Sequence, residues 1–472
     1  MTTYTELLER VVVPAGEGKA SNEPATGELI GHSPLHTPAD LESAVRRAKA
    51  AQPAWAALGH AERSRILHRA ADLVEASSES LAELLAREQG KPLNGPNARF
   101  EVGAVATWLR VTADLVLEPQ VVVDDETITA ELAYEPLGVV GAIGPWNWPL
   151  MIGIWQIAPS LRMGNTVVVK PSGYTPLSVL AMISLLNEAL PADVLIGISA
   201  DRTVGARLAA HPDIDKVMFT GSTSTGRSII AGSAGNLARL TLELGGNDAG
   251  IVLPGTDPAT IVGDLFWGAF INTGQTCAAL KRLYVHESQY EEVIAALADF
   301  ATTVPLGPSL DESSLLGPVQ NKAQFDIVAG LVEDARGRGG RIVIGGTPAT
   351  ELGDLFYPVT LVADVQDGDP IVDEEQFGPV LPIIKYSDVD AAISSANGLD
   401  VGLGASVWSA DLDEASRVAR CLRAGSVWIK RHGTLHPLAP FGGVKSSGYG
   451  LEFGVDGLKA VAAPKVTHRP KS

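Results

Sequence analysis

The sequence predicts an α/β protein in which helices cover parallel β-sheets. From residue 139 onward, short apolar segments alternate with segments that carry helical periodicity. This alternation is typical of βαβ units, whose parallel strands are buried on both faces. The predicted strands are Val139–Ile143, Thr166–Val169, Lys216–Thr220, Ala249–Leu253, Leu283–Val285 and Arg341–Ile344.

Length and composition narrow the class further. A chain of 472 residues is too long for one hydrophobic core, so we expect two or three domains. Two cysteines exclude a disulfide-stapled secreted fold. The net charge of −19 argues against nucleic-acid and anionic-membrane partners, because both need clustered Lys and Arg. The N-terminal segment lacks the features of a signal peptide, so a cytoplasmic protein is expected.

The sequence predicts mainly helices before residue 121. A turn-rich segment, Asn22–Glu28, opens a hairpin. Thr37 then caps a helix over Leu41–Ala57, with Pro38 at the first helical position and Asp40 near the third.

Two further helices and an isolated strand follow. The segment Ala61–Glu88 is predicted as one helix that ends at Gly90 and Pro92, since these residues stop helices. Glu101–Asp114 is predicted as the next helix. Val121–Leu132 is rich in β-branched residues and is predicted as a strand that leaves the main body.

The segment Leu137–Leu161 contains no charged residue and is long enough to span a bilayer. It also contains Pro145, Pro149 and Pro159, which would break a helix and leave backbone groups unpaired in lipid. We therefore interpret it as a buried strand, a loop and a helix, and expect no membrane partner.

Cys277 and Glu243 form a candidate pair of nucleophile and base. Cys277 follows a Gly- and Thr-containing run, and Glu243 lies between two leucines, 34 positions upstream. A thiolate attacks carbonyl carbon well, and apolar surroundings raise the pKa of a carboxylate towards that of a useful base. Asn147, held between prolines and tryptophans, would donate with the Cys277 backbone N–H to the negative oxygen that such an attack creates.

Each of these residues also has an ordinary structural interpretation. A lone cysteine is usually a small buried hydrophobic residue, and we expect this of Cys421 in a helix that starts near Ala415. Glu243 would alternatively form a cap or a salt bridge, and Asn147 would cap a helix.

Five motifs occur in order along the chain: Pro145–Pro149, Leu242–Gly246, Gly274–Cys277, Glu375–Pro379 and Pro440–Gly443. Together they resemble the aldehyde dehydrogenase superfamily, and the similarity extends from about Asn22 to the C-terminus. The resemblance implies an aldehyde dehydrogenase-like fold. Its parts would be a Rossmann-like cofactor domain (1–119 and 136–242), an α/β catalytic domain (243–445) and a small β oligomerisation element (120–135 and 446–472). That element would combine Val121–Tyr134 with a strand around Leu458–Val466.

The resemblance also implies the reaction, which is oxidation of an aldehyde to the carboxylic acid with NAD or NADP. Cys277 would form a thiohemiacetal and then a thioester, Asn147 would stabilise the oxyanion, and Glu243 would activate water. Members that transfer the acyl group to coenzyme A generally lack this glutamate, so hydrolysis is favoured. A coenzyme A-acylating dehydrogenase, a thiol esterase and a non-catalytic relative remain as alternatives.

The chain lacks a Gly-x-Gly-x-x-Gly fingerprint after a strand, and the family's different turn appears at Phe219–Gly226. NAD-preferring members usually carry a glutamate three positions after Lys170. This chain has Gly173 there, so one discriminator against NADP is lost, although NAD stays slightly favoured. The residues that would contact the cofactor are Pro145, Trp146, Lys170, Ser172, Gly173, Gly221, Ser222, Gly245, Glu375 and Phe377.

The residues that would line the substrate channel are mostly apolar, aromatic or small: Trp148, Ile152, Trp155, Thr276, Ala278, Leu435 and Phe441. They favour a hydrophobic aliphatic or aromatic aldehyde, since no pair of arginines marks a substrate with a carboxylate or phosphate. The spacing of His and Cys predicts no metal site. Family likeness implies a homodimer or homotetramer. The sequence leaves open the aldehyde, the coenzyme preference, the oligomer size and the effect of Lys430, which stands near a position where an Asn is frequent.

Overall fold

The computed structural model describes residues 2–471. Its α-helices are α1 (Tyr4–Glu9), α2 (Pro38–Ala57), α3 (Gly59–Ala76), α4 (Ser78–Gln89), α5 (Ala98–Asp114), α6 (Pro149–Arg162), α7 (Pro176–Leu186), α8 (Arg202–Ala210), α9 (Thr223–Gly232), α10 (Val262–Phe270), α11 (Tyr290–Ala301), α12 (Lys322–Gly337), α13 (Pro370–Asp373), α14 (Val389–Ala396), α15 (Leu412–Ala419) and α16 (Gly454–Ala460). Short 3-10 helices span Pro258–Thr260, Ile271–Gly274 and Glu287–Gln289.

The strands are β1 (Gly18–Asn22), β2 (Leu29–Pro34), β3 (Gln120–Asp124), β4 (Ile128–Pro136), β5 (Val139–Ile143), β6 (Thr166–Lys170), β7 (Leu195–Gly197), β8 (Lys216–Thr220), β9 (Arg239–Glu243), β10 (Asp248–Val252), β11 (Leu280–His286), β12 (Arg341–Ile344), β13 (Thr360–Val365), β14 (Val380–Tyr386), β15 (Val401–Gly402), β16 (Gly404–Trp408), β17 (Ser426–Ile429), β18 (Val444–Lys445), β19 (Gly448–Tyr449) and β20 (Ala462–Pro470). Each of the six predicted strands is present, with ends that differ by at most three residues.

A six-stranded sheet has the order β19-β9-β8-β5-β6-β7 and is parallel except for the short pair of β19 and β9. Alternate residues of β5 enter different cores. Val140 and Ala142 pack with α6, whereas Val139 and Ile143 pack with α2 and α8. Because both faces are covered, the strand is apolar along its whole length.

A seven-stranded sheet has the order β12-β13-β14-β11-β10-β16-β17, and its strands are parallel except for β12. Two separate hydrophobic cores lie on its faces. The α/β class predicted from the alternation of strands and helices is therefore confirmed.

A third sheet has the order β20-β4-β3 and is antiparallel. The predicted single strand Val121–Leu132 is wrong, because the chain reverses between β3 and β4. The Asp125 carboxylate accepts the backbone N–H groups of Thr127 and Ile128 and so closes the turn. The C-terminal strand begins later than predicted, since Leu458 still belongs to α16.

The helices that precede the sheets agree with the sequence except at one break. The Thr37–Asp40 capping box at α2 is confirmed, as is the stop at Gly90, whose φ is 92°. The single helix predicted over Ala61–Glu88 is wrong. Ser77 has φ −114° and ψ 16°, which ends α3 and lets α4 turn to pack on α7.

Residues 137–161 fold as the predicted strand, loop and helix. Among residues 2–471, no helix has the length and apolar character needed to cross a membrane. The residue bounds of the three predicted parts stay a prediction. The structure adds only that the six-stranded sheet holds β19 from beyond residue 445.

Candidate active site

The candidate nucleophile follows a strained loop. Asn272 and Thr273 have φ of 51° and 56°, a left-handed conformation that residues other than glycine rarely adopt. The Thr273 hydroxyl donates to the carbonyl of Gly317 and accepts its N–H, at 3.2 and 3.0 Å. A side chain at Gly274 would collide with the backbone of Gly378. The loop is therefore fixed from outside, and it presents Cys277 at a set position.

The Cys277 side chain is partly buried, and burial raises the pKa of its thiol to about 12. The nearby ammonium of Lys281 opposes this rise. Its Nζ donates to the Cys277 carbonyl at 2.6 Å, while its own side chain is only 3% exposed. Thiolate formation thus depends on a single adjacent cation.

Asn147 lies at the end of the loop after β5 and is 3% exposed. Its Nδ2 donates to the Gln275 carbonyl at 2.9 Å, which uses one of two amide hydrogens. Within residues 2–471 the Cys277 backbone N–H has no acceptor. One amide hydrogen of Asn147 and this N–H are therefore available for a negative oxygen near the thiol.

A fully buried ion pair lies behind Asn147. Lys91 and Glu101 are 2.6 Å apart, and both side chains are 0% exposed. Lys91 Nζ also donates to the Asn147 carbonyl at 2.8 Å and lies 3.6 Å from the Trp148 ring centroid. The other oxygen of Glu101 accepts the N–H groups that begin α6, those of Leu150 and Met151.

Glu243 ends β9 and is 3% exposed, and neither carboxylate oxygen has a hydrogen-bond partner within the described chain. Burial raises the pKa of this carboxyl well above its ordinary value, and the charge of Glu452 raises it further. The raised pKa makes this carboxylate a stronger base than an exposed one. Its charge also contributes to the raised pKa of Cys277, which places the two side chains in one site.

Glu452 and Lys216 complete this buried charge cluster. Burial raises the pKa of Glu452 to about 8, against the attraction of Lys216, and lowers the pKa of Lys216 to about 7. The Lys216 ammonium donates to the Thr241 hydroxyl at 2.7 Å. The cluster holds ionisable groups with pKa values near neutrality behind Glu243.

Glu375 reaches across the glycines that follow Glu243. Its carboxylate lies 3.0 Å from Lys281 Nζ and accepts the Gly246 N–H at 3.3 Å. A Cβ on Gly245 would stand 2.6 Å from it, so only glycine permits this approach. Burial raises the pKa of Glu375, and Lys281 opposes that rise.

Three aromatic rings form a line that leads away from Glu375. Phe377 and Trp146 have ring centroids 5.4 Å apart, and Trp146 and Tyr174 have centroids 6.5 Å apart. The line passes the carboxyl ends of parallel strands, where α/β folds bind ligands. Pro145, like Trp146, is half-buried in the same loop after β5.

The turn after β8 offers a helix N-terminus to the same cleft. Gly221 precedes Ser222, whose Oγ accepts the Thr225 N–H as the cap of α9. Within the described chain the N–H groups of Ser222, Thr223 and Ser224 have no acceptor, so they are available to an external anion. Ser172 instead accepts the Tyr174 N–H, and Lys170 Nζ donates to the Pro171 carbonyl. The glycine approaches, free N–H groups and aromatic line fit a dinucleotide.

The predicted substrate residues lie on the other side of Cys277. Trp148 donates from Nε1 to the Thr276 hydroxyl at 2.8 Å, so both side chains are fixed. Trp155 meets Phe441 and Phe453 edge to face, with ring centroids 6.5 and 4.8 Å apart. Residues of this predicted group that belong to or border the same apolar cluster are Ile152, Ala278 and Leu435.

Two expectations about other residues have different outcomes. Cys421 is exposed just beyond α15, so its prediction as a buried residue is wrong. Among residues 2–471, no three or more His, Cys, Asp or Glu side chains lie in a group that could hold a metal ion.

Sequence reasoning missed the buried charges that surround the predicted residues: Lys91, Glu101, Lys216, Lys281 and Glu452. Their positions in the sequence carry no special pattern, because contacts between different elements bury them, such as those of Lys91 with Asn147 and of Glu101 with Leu150. Only Lys281 had a usable signal, namely a cation four positions after the nucleophile.

The parallel sheet and a cleft that fits a dinucleotide are typical of nicotinamide-dependent oxidoreductases. The model of the aldehyde dehydrogenase family matches residues 13–467. The aldehyde dehydrogenase LUC3 of a Fusarium species is 37% identical over 99% of both chains. The chain therefore belongs to the aldehyde dehydrogenase family, and it is an enzyme that oxidises an aldehyde to the acid with NAD(P)+.

Solved structures support the same assignment. An aldehyde dehydrogenase from Bacillus cereus in complex with NAD+ matches with a TM-score of 0.92 and 34% identity, over 96% of this chain and 93% of that one. An NADP-dependent enzyme from E. coli matches with a TM-score of 0.94 and 31% identity, over 98% and 96%. The family's fold is thus present in full, while these two enzymes are described with different coenzymes.

Proposed function

We propose that the enzyme oxidises a hydrophobic aliphatic or aromatic aldehyde to its carboxylic acid through a covalent intermediate on Cys277. The observation that carries this proposal is the kind of group found with the thiol. Free hydrogen-bond donors at Asn147 and at the Cys277 backbone accompany a buried carboxylate without partners, Glu243, whose charge acts on Cys277. The apolar cluster around Trp155 and Phe441 supports an apolar substrate.

The first half of the reaction uses the donors. The Cys277 thiolate adds to the aldehyde carbon, and the negative oxygen of the thiohemiacetal accepts the Asn147 amide N–H and the Cys277 backbone N–H. NAD or NADP, when bound, supplies a hydride acceptor. Loss of hydride from the thiohemiacetal carbon re-forms the carbonyl and leaves a thioester on Cys277.

The second half uses the base. Glu243 in its carboxylate form takes a proton from water, the resulting hydroxide attacks the thioester carbon, and the acid leaves as the Cys277 thiolate is restored. The raised pKa of Glu243 favours this uptake of the proton. Glu452 would accept the proton next, since burial raises its pKa to about 8.

The residues proposed for the cofactor divide along the aromatic line. The nicotinamide half would contact Glu375, Phe377, Gly245 and Trp146. The adenosine half and the phosphates would contact Lys170, Ser172, Gly173, Gly221 and Ser222.

Val121 and Val122 on the edge strand β3 are exposed, which supports the proposal that this sheet pairs subunits in a homo-oligomer.

The test is formation of reduced nicotinamide, followed by absorbance, with aliphatic, aromatic and charged aldehydes and with product analysis with and without coenzyme A. We expect acid as the product with apolar aldehydes, whether or not coenzyme A is present. Cys277→Ala should reduce the rate to background, and Cys421→Ala, at the exposed thiol, should not. An acyl-coenzyme A product would replace the hydrolytic proposal, and cofactor reduction by Cys277→Ala at the wild-type rate would refute the covalent one.

A further inference from the structure

Three cations gather at the carboxyl end of β6, on the exposed side of Gly173. They are Lys19 from β1, Lys170 at the end of β6 and Arg202 at the start of α8. Within the described chain none of them forms an ion pair. This local excess of positive charge contrasts with the net charge of −19.

Lys19 occupies the space beside Gly173. Its Nζ donates to the Gly173 carbonyl at 2.6 Å and lies 3.3 Å from the point where a Cβ on Gly173 would stand. The same ammonium is 5.6 Å from the ring centroid of Tyr174, the last ring of the aromatic line. Two of its hydrogens remain for another acceptor.

Lys170 lies beside the same space, on the side of α8. Its stem packs against Gly205 of α8, where a Cβ would stand 3.1 Å from two of its carbons, and the residue is 8% exposed. Burial lowers the pKa of Lys170, and the charges of Lys19 and Arg202 lower it further. Lys19 and Arg202 are therefore each near enough to Lys170 to repel its charge. The one carboxylate that opposes this effect, Asp201, is held at the N-terminus of α8 by the Val204 N–H.

The place of this cluster along the cleft follows from the sheet. Glu243 ends β9 and Lys170 ends β6, which are three strand positions apart in the order β9-β8-β5-β6. At a spacing of ~4.8 Å between strands, this separation is about 14 Å. With the nicotinamide beside Cys277, the adenosine end of a dinucleotide lies at Lys170.

We propose that Lys19, together with Lys170 and Arg202, binds the 2′-phosphate of NADP. The inference rests on the proposed function, because it assumes that a dinucleotide crosses this edge of the sheet. A phosphate dianion supplies the acceptors that these cations lack, and Gly173 leaves room for it. The slight preference for NAD drawn from the sequence is reversed, because a side chain 151 positions before Lys170 adds a cation that no local motif reveals.

The proposal is tested with two mononucleotides that lack nicotinamide, 2′,5′-ADP and 5′-AMP, by calorimetry at fixed low salt. We expect 2′,5′-ADP to bind at least about tenfold more tightly than 5′-AMP, since phosphate–ammonium hydrogen bonds are among the strong ones. Lys19→Ala should remove most of that difference by weakening 2′,5′-ADP. Lys459→Ala, on the distant helix α16, is the matched control and should leave both affinities unchanged.

Gly173→Glu gives the converse variant. A carboxylate beside Lys19 would pair with that cation and repel a phosphate, so 2′,5′-ADP should lose its advantage while 5′-AMP still binds. In turnover, the ratio of kcat/KM for NADP to that for NAD should fall in both Lys19→Ala and Gly173→Glu.

The outcomes separate this proposal from the proposed function. Equal affinity of the wild-type protein for the two mononucleotides, with aldehyde oxidation intact, would overturn the 2′-phosphate site alone. An equal loss for both ligands in Lys19→Ala would also overturn it, since Lys19 would then act on the shared part of the nucleotide. If neither mononucleotide binds, the cleft is not a nucleotide site and both proposals fall.

Discussion

Two regions of the active site, the oxyanion side around Asn147 and the base side around Glu243, differ in whether their buried polar groups have hydrogen-bond partners. Around Asn147 the side chains of Lys91 and Glu101 are fully buried. Each of these two side chains, and that of Asn147, has a hydrogen-bond partner. At the end of β9 the Glu243 carboxylate is as deeply buried and has no partner. A group that stabilises a developing charge must be fixed in advance, whereas a buried base gains its high pKa from the lack of partners.

Removing the base should have the largest effect. Glu243→Gln should lower steady-state turnover by about 10²–10⁴-fold, the usual contribution of general base catalysis, because thioester hydrolysis stalls. A single burst of reduced cofactor should precede the stall, since hydride leaves earlier. Rapid-mixing absorbance measures both phases. Glu9→Gln, at an exposed position on α1, is the control, and an unaltered steady-state rate in Glu243→Gln would refute the role of base.

Breaking the buried pair behind Asn147 should come next. Lys91→Met leaves Glu101 charged without its partner, which should lower the free energy of unfolding by about 3–5 kcal/mol. Misplacement of the Asn147 segment should lower kcat/KM by about 10²-fold. Urea denaturation and initial rates measure these changes, with the exposed Lys322→Met as control. Wild-type kcat/KM in Lys91→Met would show that the pair does not position Asn147.

The third prediction concerns the pH dependence of the base. The charge of Glu452 raises the pKa of Glu243, so Glu452→Gln should lower that pKa. Because only the carboxylate form of Glu243 accepts a proton, the rising limb of the kcat–pH profile should move to lower pH. We expect a change of a few-fold in kcat at neutral pH. A limb that stays in place would mean that Glu452 does not act on Glu243.

The smallest effect should be on the thiol itself. The ammonium of Lys281 lowers the pKa of Cys277 against the effect of burial, so Lys281→Met should raise that pKa further. Alkylation by iodoacetamide at one fixed pH should slow several-fold, because the thiolate is the reacting form. Mass spectrometry of the Cys277 peptide measures the rate, and Lys322→Met again serves as control. Alkylation at the wild-type rate would remove Lys281 from the account of thiol reactivity.

The two sides also differ in which of their residues could be predicted from the sequence. Cys277, Glu243 and Asn147 lie in local motifs and could be predicted, and so could the continuous apolar strand β5 that precedes Asn147. The strand β9, which ends in Glu243, alternates polar and apolar residues and was not among the predicted strands. The partners of Asn147 could not, since Lys91 and Glu101 become neighbours only when α4, α5 and α6 pack together. Glu452 follows β19, a two-residue strand too short for any periodic pattern, yet it lies behind Glu243.

Local geometry marks two further positions, Ser77 and Lys430, that no sequence pattern reveals. The break at Ser77 interrupts a segment whose helical periodicity continues on both sides, so no pattern marks it. Lys430 has φ 58°, a left-handed conformation that asparagine adopts more readily than lysine.

The pairing of β20 with β4 has a consequence for synthesis on the ribosome. The Lys465–Glu135 ion pair joins residues 330 positions apart. Until the later strand has been translated, the β3–β4 hairpin presents two open edges, one of them carrying the exposed Val121 and Val122. At usual elongation rates this interval is on the order of tens of seconds. Several chains translated at the same time on one mRNA would then expose complementary unpaired edges close together. Slower initiation spaces these chains further apart, so it should favour correct folding over aggregation.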